Sequence, residues 1–439
     1  MVAESALLLK RLYFIQRELV VMQAGWVPAT AHWGSKLLLP ECLWQDALIA
    51  QQLRDRVLEL RYPDSRIAPG DDQPLFDSWR ALASAPTPTA FTAALCSVLK
   101  PLVLDGLRTY LEAADHLDDG PTVRVLRQAI ADCEEQISRW TPVVAEAEVL
   151  YPAEREVVAQ WCRGVQSFLK RLGPDWAVQE KLVNPPSFAP NEHGGKPFSI
   201  ARTGARDARF ARALFSWPDS LEPARGPGTG FELQVRQAQA HLNEIWATEM
   251  AAAVLFDLAD DAPAEFLYEA ARWCYDEVRH CRMGFARFNE WSFEMSEMPL
   301  GSFSYDAGAD ADPLTRLGII FYFETAYIHT KSERARAFGE FGDRISSHDM
   351  DFDWADELIH TEYGKRWLNY FLNKRGDPCG IAEVKQAAEQ CIRKIRAEAS
   401  STDRLRTEEL YQQVMQRARE LATKPAAVSV PANSRAGVA

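Results

Sequence analysis

The chain has 439 residues and a formal charge of −13, with 47% hydrophobic and 25% charged residues. This length exceeds one typical hydrophobic core and implies two domains or a bundle with large additions, and the composition is that of an ordinary soluble globular protein. The acidity argues against nonspecific nucleic-acid binding and so against a tRNA substrate, no uninterrupted apolar run approaches membrane-spanning length, and the opening MVAESALLLKRLYF lacks signal-peptide organisation. A cytoplasmic protein with neither nucleic acid nor membrane as partner is expected.

Apolar residues at helical spacing, interrupted by Pro- or Gly-containing breaks, predict helices at roughly 4–24, 41–61, 89–115 and 121–147. These make residues 1–150 an N-terminal helical bundle, either a degenerate copy of the helices beyond residue 231 or a simple helical extension. It has no metal site, because the residue 33 after Glu18 is Gln51 and no Glu-x-x-His occurs before residue 231. A further helix is expected at 153–173. The stretch 184–230, rich in Pro, Gly and Arg, reads as a long linker or lid. Its Arg202, Arg206, Arg209 and Arg212 would share one face if helical, as a clamp for a substrate carboxylate or phosphate or as a solvated face. Helices at 381–399 and 402–422 and a disordered tail at 424–439 complete the chain. The eight cysteines form no Cys-x-x-Cys pair and read as reduced thiols, not a disulfide frame or a zinc or rubredoxin site.

The chemistry lies between 231 and 375. Asp276-Glu277-Val278-Arg279-His280 and Asp356-Glu357-Leu358-Ile359-His360 are two copies of Asp-Glu-x-x-His. On a helix, residues three apart share a face, so each copy offers a carboxylate and an imidazole to one ion. Glu244 precedes Glu277 by 33 residues, and Glu324 precedes Glu357 by the same 33. That spacing suits two helical hairpins, giving four helices of which two carry Glu and two carry Glu-x-x-His, the donor inventory of di-iron and di-manganese carboxylate bundles. The candidate ligands are Glu244, Glu277, His280, Glu324, Glu357 and His360, with Glu249 the alternative to Glu244. Glu244 and Glu249 stand about 140° apart around a helix and cannot share a centre. Glu244, as far before the turn near 260–263 as Glu277 lies after it, is preferred. His329 matches Glu249 in the second hairpin and reads as a core histidine. Asp276 and Asp356 are expected to accept the outward N–H of metal-bound imidazoles, with Arg279 as a charge partner. Gly284 and Gly364, each four after its histidine, need a packing or substrate-space reason, since interior helical glycine is unfavourable by about 1 kcal/mol. Phe285, Phe321, Phe323 and Trp273 either line a channel or pack helices.

On these residues the segment from about 232 to 372 resembles the ferritin-like di-iron superfamily. DEVRH is similar to the motif of its oxygen-activating branch, the bacterial multicomponent monooxygenases and acyl-carrier desaturases. NEIWATEM and DELIHTEYGKRW resemble an uncharacterised bacterial ferritin-like family that neighbours the tRNA-modifying hydroxylases. The resemblance covers about a third of the chain. It implies an all-α protein with a ferritin-like four-helix bundle at 231–375 around two Fe ions, Mn being the other metal these ligands accept. The N-terminal bundle (1–150), a helix and linker or lid (151–230) and C-terminal helices (376–423) surround it. The expected function is a non-haem di-iron oxygenase or oxidase that hydroxylates, N-oxygenates or desaturates a small-molecule substrate, with O2 and an external electron donor. Ferroxidase or manganese-catalase-like detoxification is the alternative, and a vestigial site a third reading. Neither the substrate nor the oligomeric state follows, a homodimer being one option.

Overall fold

The computed structural model describes residues 1–62, 67–182, 184–376 and 378–422, with the Tyr327 side chain set aside. The tail expected at 424–439 lies outside these residues. Within them the chain is almost entirely α-helical, and its contacts divide it into two compact units, one of residues 1–200 with 259–271 and one of 201–258 with the chain from 272 on.

The first unit contains α1 (Val2–Trp26), α2 (Trp33–Glu59), α3 (Gln73–Arg80), α4 (Pro88–Ala94), α5 (Lys100–Ala113), α6 (Gly120–Leu150) and α7 (Arg155–Lys170). It extends beyond residue 150, the boundary expected from sequence. The amphipathic α7 buries Val158, Trp161, Val165, Phe168 and Leu169 and packs on α4, and the segment beyond it adds buried Trp176 and Phe188. α2 begins eight residues before its expected start: His32 caps it by accepting from Ser35 N (3.3 Å), and the helix runs through Pro40, which reads in sequence as a boundary. A π turn at Leu95–Leu99 joins α4 to α5 just ahead of Pro101, whose missing N–H breaks the regular ladder. The continuous stretch Pro88–Ala113 is, against expectation, long and apolar enough to cross a membrane, at mean hydropathy 1.5, and 72% of that window is buried within the protein.

At the centre of this unit Asp46 of α2 receives Lys100 Nζ of α5 (2.5 Å to Oδ1) and Gln23 Nε2 of α1 (2.6 Å), with Gln136 Nε2 of α6 at 3.4 Å. Each of four helices contributes one polar group to a buried ion pair. Glu18 is taken up by Arg17 (2.6 Å) and Arg80 (2.9 Å) and Gln51 by Asp55, and no metal-capable group of side chains occurs in this unit among the described residues.

The second unit contains β1 (Ala211–Ala213), α8 (Pro218–Leu221), α9 (Gly230–Asn243), α10 (Ile245–Leu258), the part of α11 (Ala264–Glu290) from Arg272 on, and β2 (Pro299–Gly301). It continues with α12 (Phe303–Asp306), α13 (Pro313–Glu340), α14 (Arg344–Arg375), α15 (Ile381–Ala397) and α16 (Ser401–Ala422). Asp312 opens α13 by accepting from Leu314 N and Thr315 N, with Pro313 preset for the first turn, and Asp343 opens α14 by accepting from Ser346 N. α11 lies against α9 so closely that a Cβ on Gly284 would stand 2.2 Å from Leu242 N, and a Cβ on Gly364 of α14 would stand 2.4 Å from a ring carbon of Phe321 on α13. Both matched glycines are there for helix packing.

The arginine stretch is not helical. Residues 201–210 are irregular and lead into β1, which pairs in parallel with β2 (Ala211 opposite Pro299). The four arginines therefore share no face: Arg206 is buried, Arg209 pairs with Asp207 (2.7 Å), Arg202 donates to Ala309 O (3.0 Å) and Arg212 is exposed.

Removing one partner of a buried ion pair leaves an uncompensated charge, whereas replacing both by apolar groups is often near neutral. Lys100→Met should destabilise the first unit by about 3–5 kcal/mol in urea unfolding, and Lys100→Met with Asp46→Leu should recover most of that loss.

Candidate metal centre

The six candidate ligands converge inside the second unit. One oxygen or nitrogen from each of Glu277, Glu324, Glu357 and His360 lies within 4.8 Å of the others, and the same holds for Glu244, Glu277 and His280, with Glu277 in both groups. Helix geometry produces this. Glu277 and His280, one turn apart on α11, face Glu357 and His360, one turn apart on α14, while Glu324 projects from α13.

Glu244 differs from the rest. It occupies the break between α9 and α10 (φ −65°, ψ −1°), where Ala247 N and Thr248 N both bond to its carbonyl. Its side chain is 18% exposed, against 1% for Glu277 and 0% for both imidazoles. Glu249 is elsewhere, fully buried, with its two oxygens accepting from Arg206 Nη1 (2.6 Å) and Nη2 (2.9 Å). Arg206 also donates to Gly301 O on β2 (2.6 Å), so this pair straps the irregular segment to α10. His329, read as a core histidine, is exposed.

The two Asp-Glu-x-x-His motifs support each other crosswise. Asp356 Oδ2 accepts from His280 Nε2 (3.2 Å), and Asp276 Oδ2 lies 3.4 Å from His360 Nε2. With Nε2 directed outward, the Nδ1 atoms face the ligands: His280 Nδ1 is 3.3 Å from Glu244 Oε2, and His360 Nδ1 is 3.1 Å from Glu277 Oε1. Arg279 joins both aspartates (2.5 and 3.1 Å), and Arg272 adds a contact to Asp276 at 2.7 Å. Trp273 Nε1 donates to Glu277 and Glu324, 3.1 Å each, and its ring stacks on His360.

Three further residues complete the centre. Asp353 and Glu357 both accept from Lys331 Nζ, at 2.6 Å each, and His241 Nε2 lies 3.3 Å from Asp353 Oδ2. Asp353 also groups with His241 and Glu244, and with His280 and Glu357, within 4.8 Å. No motif marks them, yet each sits at helical spacing from a ligand: Asp353 four before Glu357, Lys331 seven after Glu324, His241 three before Glu244.

The protonation equilibria show how tightly charge is packed. Burial works against the charged form of His280 and His360, yet neighbouring carboxylates, Asp353 and Asp356 for the first and Asp276 and Glu277 for the second, hold both well above the usual imidazole range. Burial likewise opposes ionisation of Glu277, but the two imidazoles beside it bring it down to about 2. Glu357 is pushed up to about 7, by burial and then by the charge of Glu277, with His360 opposing.

Glu244 Oε2, Glu357 Oε2, His280 Nδ1 and His360 Nδ1 are buried with no hydrogen-bond partner among the described residues. Buried polar atoms are normally satisfied, and unsatisfied atoms on four candidate ligands, Glu244 and His280 in one group and Glu357 and His360 in the other, fit bound cations. The set holds carboxylate oxygens and imidazole nitrogens without thiolate, the donors of hard to borderline divalent metals. None of the eight cysteines takes part in a disulfide.

A cavity of about 250 Å³ opens onto this cluster. Glu244, Glu277, Glu324, Glu357 and Lys331 line one part, and Trp217, Trp246, Phe303 and Phe323 wall it. The segment from Ser216 to Pro227, part of the expected linker or lid, forms one side. Among the phenylalanines considered for a channel, Phe323 lines the cavity, whereas Phe321 packs on Gly364. Compared with known protein families, curated proteins and solved structures, the chain matches none.

Glu324→Ala or His360→Ala should abolish divalent-metal loading, measured by elemental analysis, while circular dichroism stays helical. Glu244→Ala should lower the metal count, whereas Glu249→Ala should leave the count unchanged and destabilise the protein by about 3–5 kcal/mol, because the buried Arg206 charge loses its carboxylate. Gly284→Ala should reduce metal content without touching a ligand, since it pushes α11 away from the turn of α9 that carries His241 and Leu242.

Proposed function

We propose that the centre holds two iron ions in a ferritin-like bundle and that the protein is an O2-dependent oxidoreductase. It would hydroxylate, N-oxygenate or desaturate a small organic molecule with electrons from an external donor. The observation that carries this reading is the opening of an apolar-walled cavity directly onto the candidate ligands. An iron-storage centre needs only a path for ions, whereas a cavity of about 250 Å³ lined by Trp246, Phe303 and Phe323 suits an organic molecule.

Glu244, Glu277 and His280 would hold one ion and Glu324, Glu357 and His360 the other, with Glu277 reaching both, and manganese is the other metal these donors accept. When bound, two such ions together supply electrons to dioxygen. The rest of the arrangement is the work of the chain. Asp356, which accepts from His280 Nε2, and Asp276, 3.4 Å from His360 Nε2, back the imidazoles so that Nδ1 would be left to a cation, and Arg272 and Arg279 hold those aspartates in place. Trp273 fixes the rotamers of Glu277 and Glu324 through one shared N–H. Lys331 offsets the charge of Glu357 and Asp353. The aromatic wall limits water beside the ligands.

One observation favours the detoxification alternative. His241, Glu244 and Asp353 form a further three-residue group beside the centre, suited to an ion in transit.

Anaerobic Fe(II) loading should give about two irons per chain. Oxygen uptake that requires both a reductant and an organic molecule would support the oxygenase, and Ala240→Phe, which fills the cavity, should lower that uptake at least tenfold with iron content unchanged. Sustained oxidation of excess Fe(II) with no organic molecule, or rapid peroxide destruction by the manganese form, would establish the alternative instead. Failure to bind either metal would sink both.

A further inference from the structure

The cavity has an inner end lined by the candidate ligands. Glu244, Glu277, Glu324 and Glu357 lie there, and Lys331 is taken by Asp353 and Glu357. Three arginines line the remainder. Arg236 is neutralised by Asp219 (2.7 Å), and Arg396 donates to Ser220 O (2.8 Å) and lies over the Phe303 ring. Arg334 is different: its hydrogen bond goes to the neutral Gln237 Oε1 (3.1 Å), and it makes no ion pair among the described residues.

Arg334 is half-buried on α13, ten residues after Glu324, about 15 Å further along the helix axis. Its side chain, directed back toward the helix N-terminus as helical side chains are, leans toward the centre. Burial and then the nearby Arg236 guanidinium depress its pKa, against the opposing charges of Asp219, Asp353 and Glu244. A guanidinium presents a planar fork of donors that matches a carboxylate, and one hydrogen bond to an amide leaves most of that fork open.

We infer that Arg334 is the anchor for a substrate carboxylate and that the molecule oxidised is a small monocarboxylic acid with an apolar body. This rests on the oxygenase reading for the reaction, though not for the binding. The acid seats with its anionic end on Arg334, away from the acidic inner end. Its uncharged portion extends between Trp246 and Phe323 toward the ligands. The guanidinium fork sets the orientation: with the carboxylate held on Arg334, ten residues along α13 from Glu324, the uncharged portion is the part that faces the ligands. Arg334 is a positioning and specificity residue that fixes which part of the substrate faces the centre.

The test uses the metal-loaded full chain and four probes, benzoate, phenylacetate, 3-phenylpropionate and hexanoate, each paired with its primary amide and titrated by calorimetry. At least one acid should bind tenfold or more tightly than its amide. Arg334→Gln should remove that preference, and Arg334→Lys, which keeps the charge and loses the fork, should retain part of it. Metal content reports whether each variant is folded. Equal affinity for acid and amide, no binding by any acid, or an acid preference that persists in Arg334→Gln would overturn the assignment. Oxygen uptake by the iron-loaded protein is followed in the same samples. Acid preference without oxygen uptake leaves the anchor standing and removes the oxygenase reading, and uptake without acid preference does the reverse.

Discussion

Five carboxylates, Glu244, Glu277, Glu324, Glu357 and Asp353, meet in the interior of the second unit, and the architecture of that unit follows from the need to compensate them. Desolvating several like charges together is prohibitive unless cations are brought in close. The chain supplies some directly, as Lys331 and two imidazoles held above their usual range. Behind these stands an outer layer of opposite logic, in which Asp276 and Asp356 back the imidazoles and Arg272 and Arg279 back the aspartates. Sign alternates outward shell by shell, which keeps each carboxylate next to something positive. On the proposed reading, bound ions complete the innermost shell.

The first unit meets a smaller version of the same problem by different means. There a single carboxylate, Asp46, is compensated by Lys100 from another helix, with Gln23 and Gln136 satisfying the remaining oxygen positions. The cation there is covalently part of the chain, so the carboxylate is compensated as soon as the helices meet. In the second unit atoms of four candidate ligands, Glu244, Glu357, His280 and His360, have no hydrogen-bond partner among the described residues, and on the proposed reading bound ions take that place.

What could be read from sequence is what helix periodicity carries. A three-residue step places Glu277 beside His280 and Glu357 beside His360, and the shared interval of 33 residues brings Glu244 and Glu324 opposite them. The same reasoning fails where two distant segments meet without a shared period. Nothing local indicates that Arg206 crosses to Glu249, because the arginine lies in irregular backbone whose course is set by hydrogen bonds to β2. The helical face expected for Arg202 to Arg212 fails for that reason. Lys331, Asp353 and His241 are within reach of periodicity but carry no motif, and a lysine among metal ligands contradicts the usual pattern. His329, five residues beyond Glu324, is turned about 140° away from it and emerges at the surface.

One detail of backbone makes the centre asymmetric. Glu277, Glu324 and Glu357 ride on uninterrupted helix, where rotating one residue disturbs bonds on both sides, while Glu244 sits at a break and faces the cavity. The assembly resembles a vice with three fixed jaws and one that slides. Glu244 is also the most exposed of the four glutamates, at 18% against 1%, 6% and 4%, so its side of the centre is the one least enclosed. Two ions held there would be unequal tenants: the one nearer Glu244 and His280 would exchange and adjust, and the one among Glu324, Glu357 and His360 would stay as the fixed reference against which it moves.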